Sequence, residues 1–198
     1  MALCGLGVPG VVPSVEWSPL LHGVEVGLDA LGAWLVRADL GLGLLLLVGL
    51  SMSLSHVFAL LANRLTARQI LLHLLFDALL LSIAFLLSST ADMVLLNLYG
   101  SVTVPPSLFL NGVAACLVPA TLYVFVAAPY VGDLIGGVIW ALIHLNVVSL
   151  LHVRFALPYG EALLLATPGY LLAVLLVWIL FRQSWRSGYS TLASQLKT

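Results

Sequence analysis

Long apolar runs dominate this chain, and the polar positions inside them are few enough to be read one by one. Five runs come close to the roughly 20 residues that carry a helix across a bilayer core: 40–62, 70–88, 107–128, 134–153 and 162–181. Each predicts a membrane-spanning helix. Upstream, "SPL" at 18–20 predicts a helix start, because Ser18 can cap and Pro19 suits a first turn that needs no N–H. Beyond it, Leu20, Val24, Leu28, Leu31 and Leu35 fall on one stripe, and His22, Glu25 and Asp29 on another. That two-faced pattern suits the membrane interface or a groove on a bundle. Gly23, Gly27 and Gly32 weaken it as an isolated helix, so packing must order it.

The chain therefore divides into a tail and amphipathic helix (1–39), a five-span domain (40–181) and a short polar tail (182–198). The expected fold class is all-α: a polytopic five-helix transmembrane bundle with an N-terminal amphipathic interfacial helix. Composition agrees. Hydrophobic residues make up 62% of the chain, charged ones only 8%, and mean hydropathy is +1.17. Soluble domains keep about a quarter of their residues charged, so lipid must cover most of this surface. A formal net charge of -1 argues against a nucleic-acid partner. Cys4 and Cys116 make no disulfide framework. The opening "MALCGLGVPGVVPSVEW" lacks the positive n-region of a signal peptide, so insertion is expected to rely on the first span.

Charge sets the expected orientation. "NRLTARQ" at 63–69 is a basic turn with Arg64 and Arg68, and Thr66 is placed to cap the helix that follows. Arg182, Arg186 and Lys197 make the C-terminal end basic too. Five spans put both segments on one side, which the excess of Lys and Arg assigns to the cytoplasm. Arg37 argues mildly the other way. The stretch 89–106, with Asp92, is then an external loop, and Arg154 is external as well. Tyr130, Tyr159, Trp178 and Trp185 sit near predicted span ends, where amphipathic rings collect.

Pro119 and Pro168 interrupt the third and fifth runs and predict bends. Gly132, Gly136 and Gly137 form a small-residue seam suited to close helix packing.

Polar residues inside the runs carry what chemistry there is. In "QILLHLLFDALLLSIAFLL" (69–87), His73 and Asp77 lie one helical turn apart and face the same way. An ionised aspartate in the membrane is costly, so it needs a partner or a wet niche. Ser51, Ser53, Ser55 and His56 on the first run, Asn111 and Thr121 on the third, and His144, Asn146 and Ser149 on the fourth are further candidates for the bundle interior. Two readings follow. In one the polar set, centred on His73, Asp77, Asn111, His144 and Asn146, is a hydrogen-bonded clamp; in the other it lines a proton or solute path. The clamp is favoured, because no span repeats an acidic residue. His56, His144 and His152 are candidate axial ligands for haem or chlorophyll. Neither a Cys-x-x-Cys-His attachment nor a clustered metal set is present. The sequence also lacks a nucleophile elbow, a Walker loop, a His-Glu-x-x-His pair and a Rossmann fingerprint, so no enzymatic activity is expected.

"HVFALLANRLTARQILLHLLFDALLL" (56–81), "PATLYVFVAAPYVGDLIGGVIWALIHLNVVSLLHV" (119–153) and "GEALLLATPGYLLAVLL" (160–176) together resemble the Yip1 superfamily, in particular its bacterial branch. The likeness covers about 40–181 and implies a five-span fold rather than an activity. Eukaryotic Yip1-type proteins associate with small GTPases through a cytosolic N-terminal region; the short N-terminal segment here, placed outside by charge, departs from that pattern. The resemblance implies a bacterial inner or internal membrane, and the charge count above adds a cytoplasmic C-terminus. The expected role is a non-enzymatic scaffold or accessory subunit whose partners are lipids, other integral membrane subunits or a second copy. A small transporter or proton-coupled permease using His73 and Asp77 is the first alternative, and a haem- or chlorophyll-binding subunit the second.

Overall fold

The computed structural model describes residues 18–37, 43–62, 64–99, 104–128 and 130–195, with side chains described as far as Arg182. Expectations for the 1–17 tail, for the Ser18 side chain and for the polar side chains after Arg182 lie outside the described residues. The elements are α1 (Ser18–Arg37), α2 (Gly43–Leu54), α3 (Val57–Ala62), α4 (Ala67–Tyr99), α5 (Pro106–Cys116), a 3₁₀ segment (Val118–Ala127), α6 (Gly132–Phe155) and α7 (Tyr159–Gln195). Among the described residues, four helical stretches are long and apolar enough to cross a membrane: Ala67–Tyr99, Pro106–Ala127, Gly132–Phe155 and Tyr159–Arg182. The protein is an all-α, multi-span membrane protein.

The run at 40–62 is not one continuous helix. It breaks at Ser55–His56, where Ser55 N–H donates to Met52 O (3.2 Å) and His56 N–H to Ser53 O (3.0 Å). The Ser55 hydroxyl also donates to Met52 O at 2.6 Å. A side chain that occupies a nearby carbonyl competes with the i→i−4 ladder, and here it accompanies a tight turn.

The expected external loop at 89–106 is corrected in the opposite direction. α4 continues through Asp92 to Tyr99 and reaches 33 residues, about 50 Å at 1.5 Å per residue. The polar cluster Ser88, Ser89 and Thr90 reads as a helix end, yet each hydroxyl folds back onto the helix. Ser88 and Ser89 donate to Phe85 O at 2.9 and 2.7 Å, and Thr90 to Leu86 O at 2.7 Å. Satisfied in this way, the three residues continue the helix instead of ending it. At its start, Thr66 caps: its N–H and hydroxyl both donate to Gln69 Oε1 at 2.9 Å, while Gln69 N–H reaches Thr66 Oγ1 at 3.4 Å.

Pro119 sits in the first turn of the 3₁₀ segment that succeeds α5. Ala120 N–H turns to Leu117 O (2.8 Å), which releases Cys116 O from the ladder. Asn146 of α6 donates to that carbonyl at 3.1 Å. Ser51 of α2 serves the segment farther along, donating to Thr121 O (2.7 Å) and accepting from Val124 N–H (3.2 Å). Runs of 3₁₀ helix beyond three or four residues are uncommon, so this ten-residue one is held by side chains from both neighbours.

Small residues set the helix contacts. α2 and α4 pack antiparallel: Ser82 donates to Leu45 O (3.1 Å), Ser53 to Leu74 O (3.2 Å), and a side chain at Gly49 would overlap the Ala78 backbone. α1 runs antiparallel to α6. A Cβ at Gly32 would lie 2.6 Å from Val153 Cγ2 and 2.7 Å from Ser149 O, and Leu35 is fully buried. The C-terminal half of α1 is thus seated on the bundle, while Leu21 to Gly27 are exposed. One core cluster joins Leu35, Leu96, Phe109, Leu150 and Leu151; the other joins Met52, Phe85, Leu117, Ile143 and Phe181.

Candidate functional site

Asp92 is the most deeply placed acid among the described residues, at 5% exposure in the middle of the bundle. Its position follows from Pro168. Lacking an N–H, Pro168 cannot bond to the turn before it, and the next donor, Gly169 N–H, reaches Asp92 Oδ1 at 2.8 Å. Any side chain at residue 169 would overlap the carboxyl group. Glycine is what lets α7 approach α4 here. Although Pro168 lies inside it, α7 continues as one helix.

Beside this contact is a cavity of about 30 Å³ bordered by Phe85, Ser88, Ser89, Asp92, His144 and Tyr170, among others. That volume suits one water. The His144 ring lies 4.4 Å from the Tyr170 ring, and its buried Nδ1 has no hydrogen-bond partner within the protein. The arrangement brings a carboxyl and an imidazole to the same small space. It can hold or exchange a proton locally, but it admits no larger solute.

His73 and Asp77 lie elsewhere. The α4 stripe that packs on α2 is Leu74, Ala78 and Ser82. Residues 73 and 77 precede its first two members by one, which turns them about 100° around the helix. His73 is exposed, on an outer face shared with Leu72, Leu75, Phe76 and Leu79, and Asp77 is half-buried at the edge of that face. Neither is buried in the interior that the sequence suggested for the pair. Of the other candidates, Asn146 is buried at the α5 break, and Asn111 is half-buried on α5.

The three candidate ligand histidines are spread along the bundle. His56 stacks near Phe181 (4.3 Å between centroids) in a cleft of about 270 Å³ at the end that holds the α6 N-terminus. His144 lies midway. His152 is at the opposite end, stacked on Tyr159 at 3.8 Å, with Nδ1 against Leu157 O and Nε2 3.3 Å from Asp29 Oδ1. Tyr159 OH donates to the same Asp29 oxygen at 2.6 Å. This group ties α1 to the α6–α7 turn. Among the described residues, no group of three or more His, Cys, Asp or Glu is placed to hold a metal ion.

The glycines also separate. Gly132 packs against the Val126 backbone at the turn into α6, Gly136 faces Tyr123 and Val126, and Gly137 opens onto empty space. No protein-family model, no curated protein and no solved structure matches this chain. Sequence reading missed the Asp92–Gly169 contact. The signal was present: Asp92 continues the helical spacing of Phe85, Ser88 and Ser89.

Proposed function

We propose that the protein is a non-catalytic membrane scaffold or accessory subunit, which assembles laterally through the outer face of α4, first of all with a second copy of itself. The observation behind this reading is exposed His73 on a helix face otherwise made of Leu72, Leu75, Phe76 and Leu79, with half-buried Asp77 at its edge. Hydrocarbon offers such side chains no hydrogen-bond partners. A pair that carries both a donor and an acceptor is self-complementary. Two copies related by a two-fold axis along the membrane normal would bring His73 of one to about 6 Å in depth, one helical turn, from Asp77 of the other, in a shared surface of the isologous kind. Interhelical hydrogen bonds of this sort contribute about 0.6–2 kcal/mol each, enough to add to apolar packing but not to replace it.

The test is oligomeric state in a bilayer. Single-molecule photobleaching in vesicles at low protein density should show two copies per spot. A His73→Leu, Asp77→Leu double variant should show one, and a Phe76→Cys variant lacking Cys4 and Cys116 should cross-link to itself. Single-step bleaching of the unsubstituted protein, together with no cross-link, would defeat the reading.

A second reading, a small proton-coupled permease, draws on the Asp92–His144 cavity rather than on His73 and Asp77. It requires that the one-water space widen during a cycle. Proton flux in vesicles that Asp92→Asn abolishes would favour it over the scaffold.

A further inference from the structure

The cleft at the α6 N-terminal end has a composition that no part of the scaffold reading uses. It is bordered by His56 at the α2–α3 break, by Tyr123, by Asp133 and Trp140 of α6, and by Trp178 and Phe181 of α7, among others. Its space is kept open by glycine. A Cβ at Gly137 would meet nothing within 4 Å, and one at Gly136 would only touch Tyr123 and Val126 at 3.7 Å or more. These two glycines therefore form a floor for the cleft and do not seat a neighbouring helix.

The chemistry around that floor has two parts. Asp133 in the first turn of α6 is exposed and acidic, and the walls include the aromatic side chains of Tyr123, Trp140 and Trp178. Aromatic faces with a nearby carboxylate attract organic ammonium groups. Next to the lining residue Phe181, exposed Arg182 lies with its guanidinium carbon 5.0 Å from the centre of the Trp178 ring. A guanidinium is the side chain best shaped for phosphate oxygens. Val174 and Val177 continue the α7 wall in apolar form toward the membrane interior. The volume, about 270 Å³, is at the small end of the ~300–1,000 Å³ range for ligand sites. It fits a head group, with the acyl chains left in the surrounding lipid.

We propose that this cleft binds the head group of a zwitterionic phospholipid, with its ammonium among Asp133 and the aromatic walls and its phosphate at Arg182. The membrane would then supply a bound component at one end of the bundle, where the α2–α3 break, the 3₁₀ segment and α7 meet. This site is independent of the outer α4 face and of oligomeric state.

Delipidated full-length protein in detergent would be titrated with short-chain phosphatidylcholine and phosphatidylethanolamine, with phosphatidylglycerol of equal chain length, and with free phosphocholine. Retention by native mass spectrometry would report binding. The zwitterionic lipids should bind at least about tenfold tighter than phosphatidylglycerol, a difference of about 1.4 kcal/mol. Gly137→Leu should remove that preference by filling the cleft, and the open space at residue 137 leaves the fold room to accept it. Asp133→Asn should lower zwitterionic affinity while leaving phosphatidylglycerol unchanged, and Arg182→Gln should weaken both. Equal affinity for zwitterionic and anionic lipid, or undiminished preference in Gly137→Leu and Asp133→Asn, would overturn the proposal. So would free phosphocholine binding as tightly as the lipids, which would mark a soluble ligand instead.

Discussion

Asp92 on α4 and Gly169 on α7, 77 positions apart, share one buried hydrogen bond of 2.8 Å from backbone N–H to carboxyl oxygen. The contact answers two problems at once. Pro168 disturbs the α7 ladder, and an acid within the membrane needs a donor. Each supplies what the other lacks, and the glycine removes the side chain that would hold them apart.

Gly169→Ala should therefore lower stability by about 1–3 kcal/mol, the usual range for forcing atoms into a packed interior. Asp92→Leu should cost about as much, because Gly169 N–H would then be buried without a partner. Asp92→Asn retains an oxygen acceptor and should be milder. Gly160→Ala is the control, since a Cβ there meets nothing within 4 Å. Thermal unfolding in a single detergent, followed by circular dichroism, orders the four variants.

Ser51 is expected to matter beyond its size. Its hydroxyl alone bridges Thr121 O and Val124 N in the 3₁₀ segment. Ser51→Ala leaves both groups without that partner and should destabilise by about 1–3 kcal/mol. Ser53→Ala removes a hydroxyl bonded to one carbonyl, Leu74 O, and should cost less. Urea or thermal denaturation of the two variants side by side measures the difference.

Docking of α1 rests on Gly32 against α6 and on the Asp29, His152 and Tyr159 group. Gly32→Leu should push α1 off the bundle, and Tyr159→Phe should loosen it by about 1 kcal/mol through loss of one hydrogen bond. Limited proteolysis between residues 18 and 37 should speed up markedly in the first variant and modestly in the second. Unchanged cleavage in Gly32→Leu would show that α1 is held by other contacts.

Orientation can be read from thiol labelling. Arg64, Arg68 and Arg182 lie at one end of the bundle, and the α6–α7 turn at the other. If basic residues mark the cytoplasmic side, Arg64→Cys in intact cells resists a membrane-impermeant reagent while Leu157→Cys reacts. The reverse labelling would invert the assignment.

Ala156 ends α6 in the left-handed region, at φ 53°. A Cβ there costs about 1–2 kcal/mol, part of which glycine gives back through its freer unfolded chain. Ala156→Gly should leave stability unchanged or raise it slightly, by at most about 1 kcal/mol, in the same thermal assay.

Membrane class and helical content were legible in the order of residues alone, because hydrocarbon imposes the same demand along every span: long apolar stretches whose backbone bonds close internally. Thr66 as a cap and Pro119 as an interruption were legible for a similar reason, since each acts on bonds within a few residues of itself. Which stripe of α4 faces the bundle, and with it the inward place of Asp92 and the outward place of His73, was decided only by tertiary structure. A polar residue in an apolar helix has no face of its own. Whether it meets protein or lipid depends on which stripe the neighbouring helix covers, and here Gly49, Gly169 and the other close approaches choose that stripe.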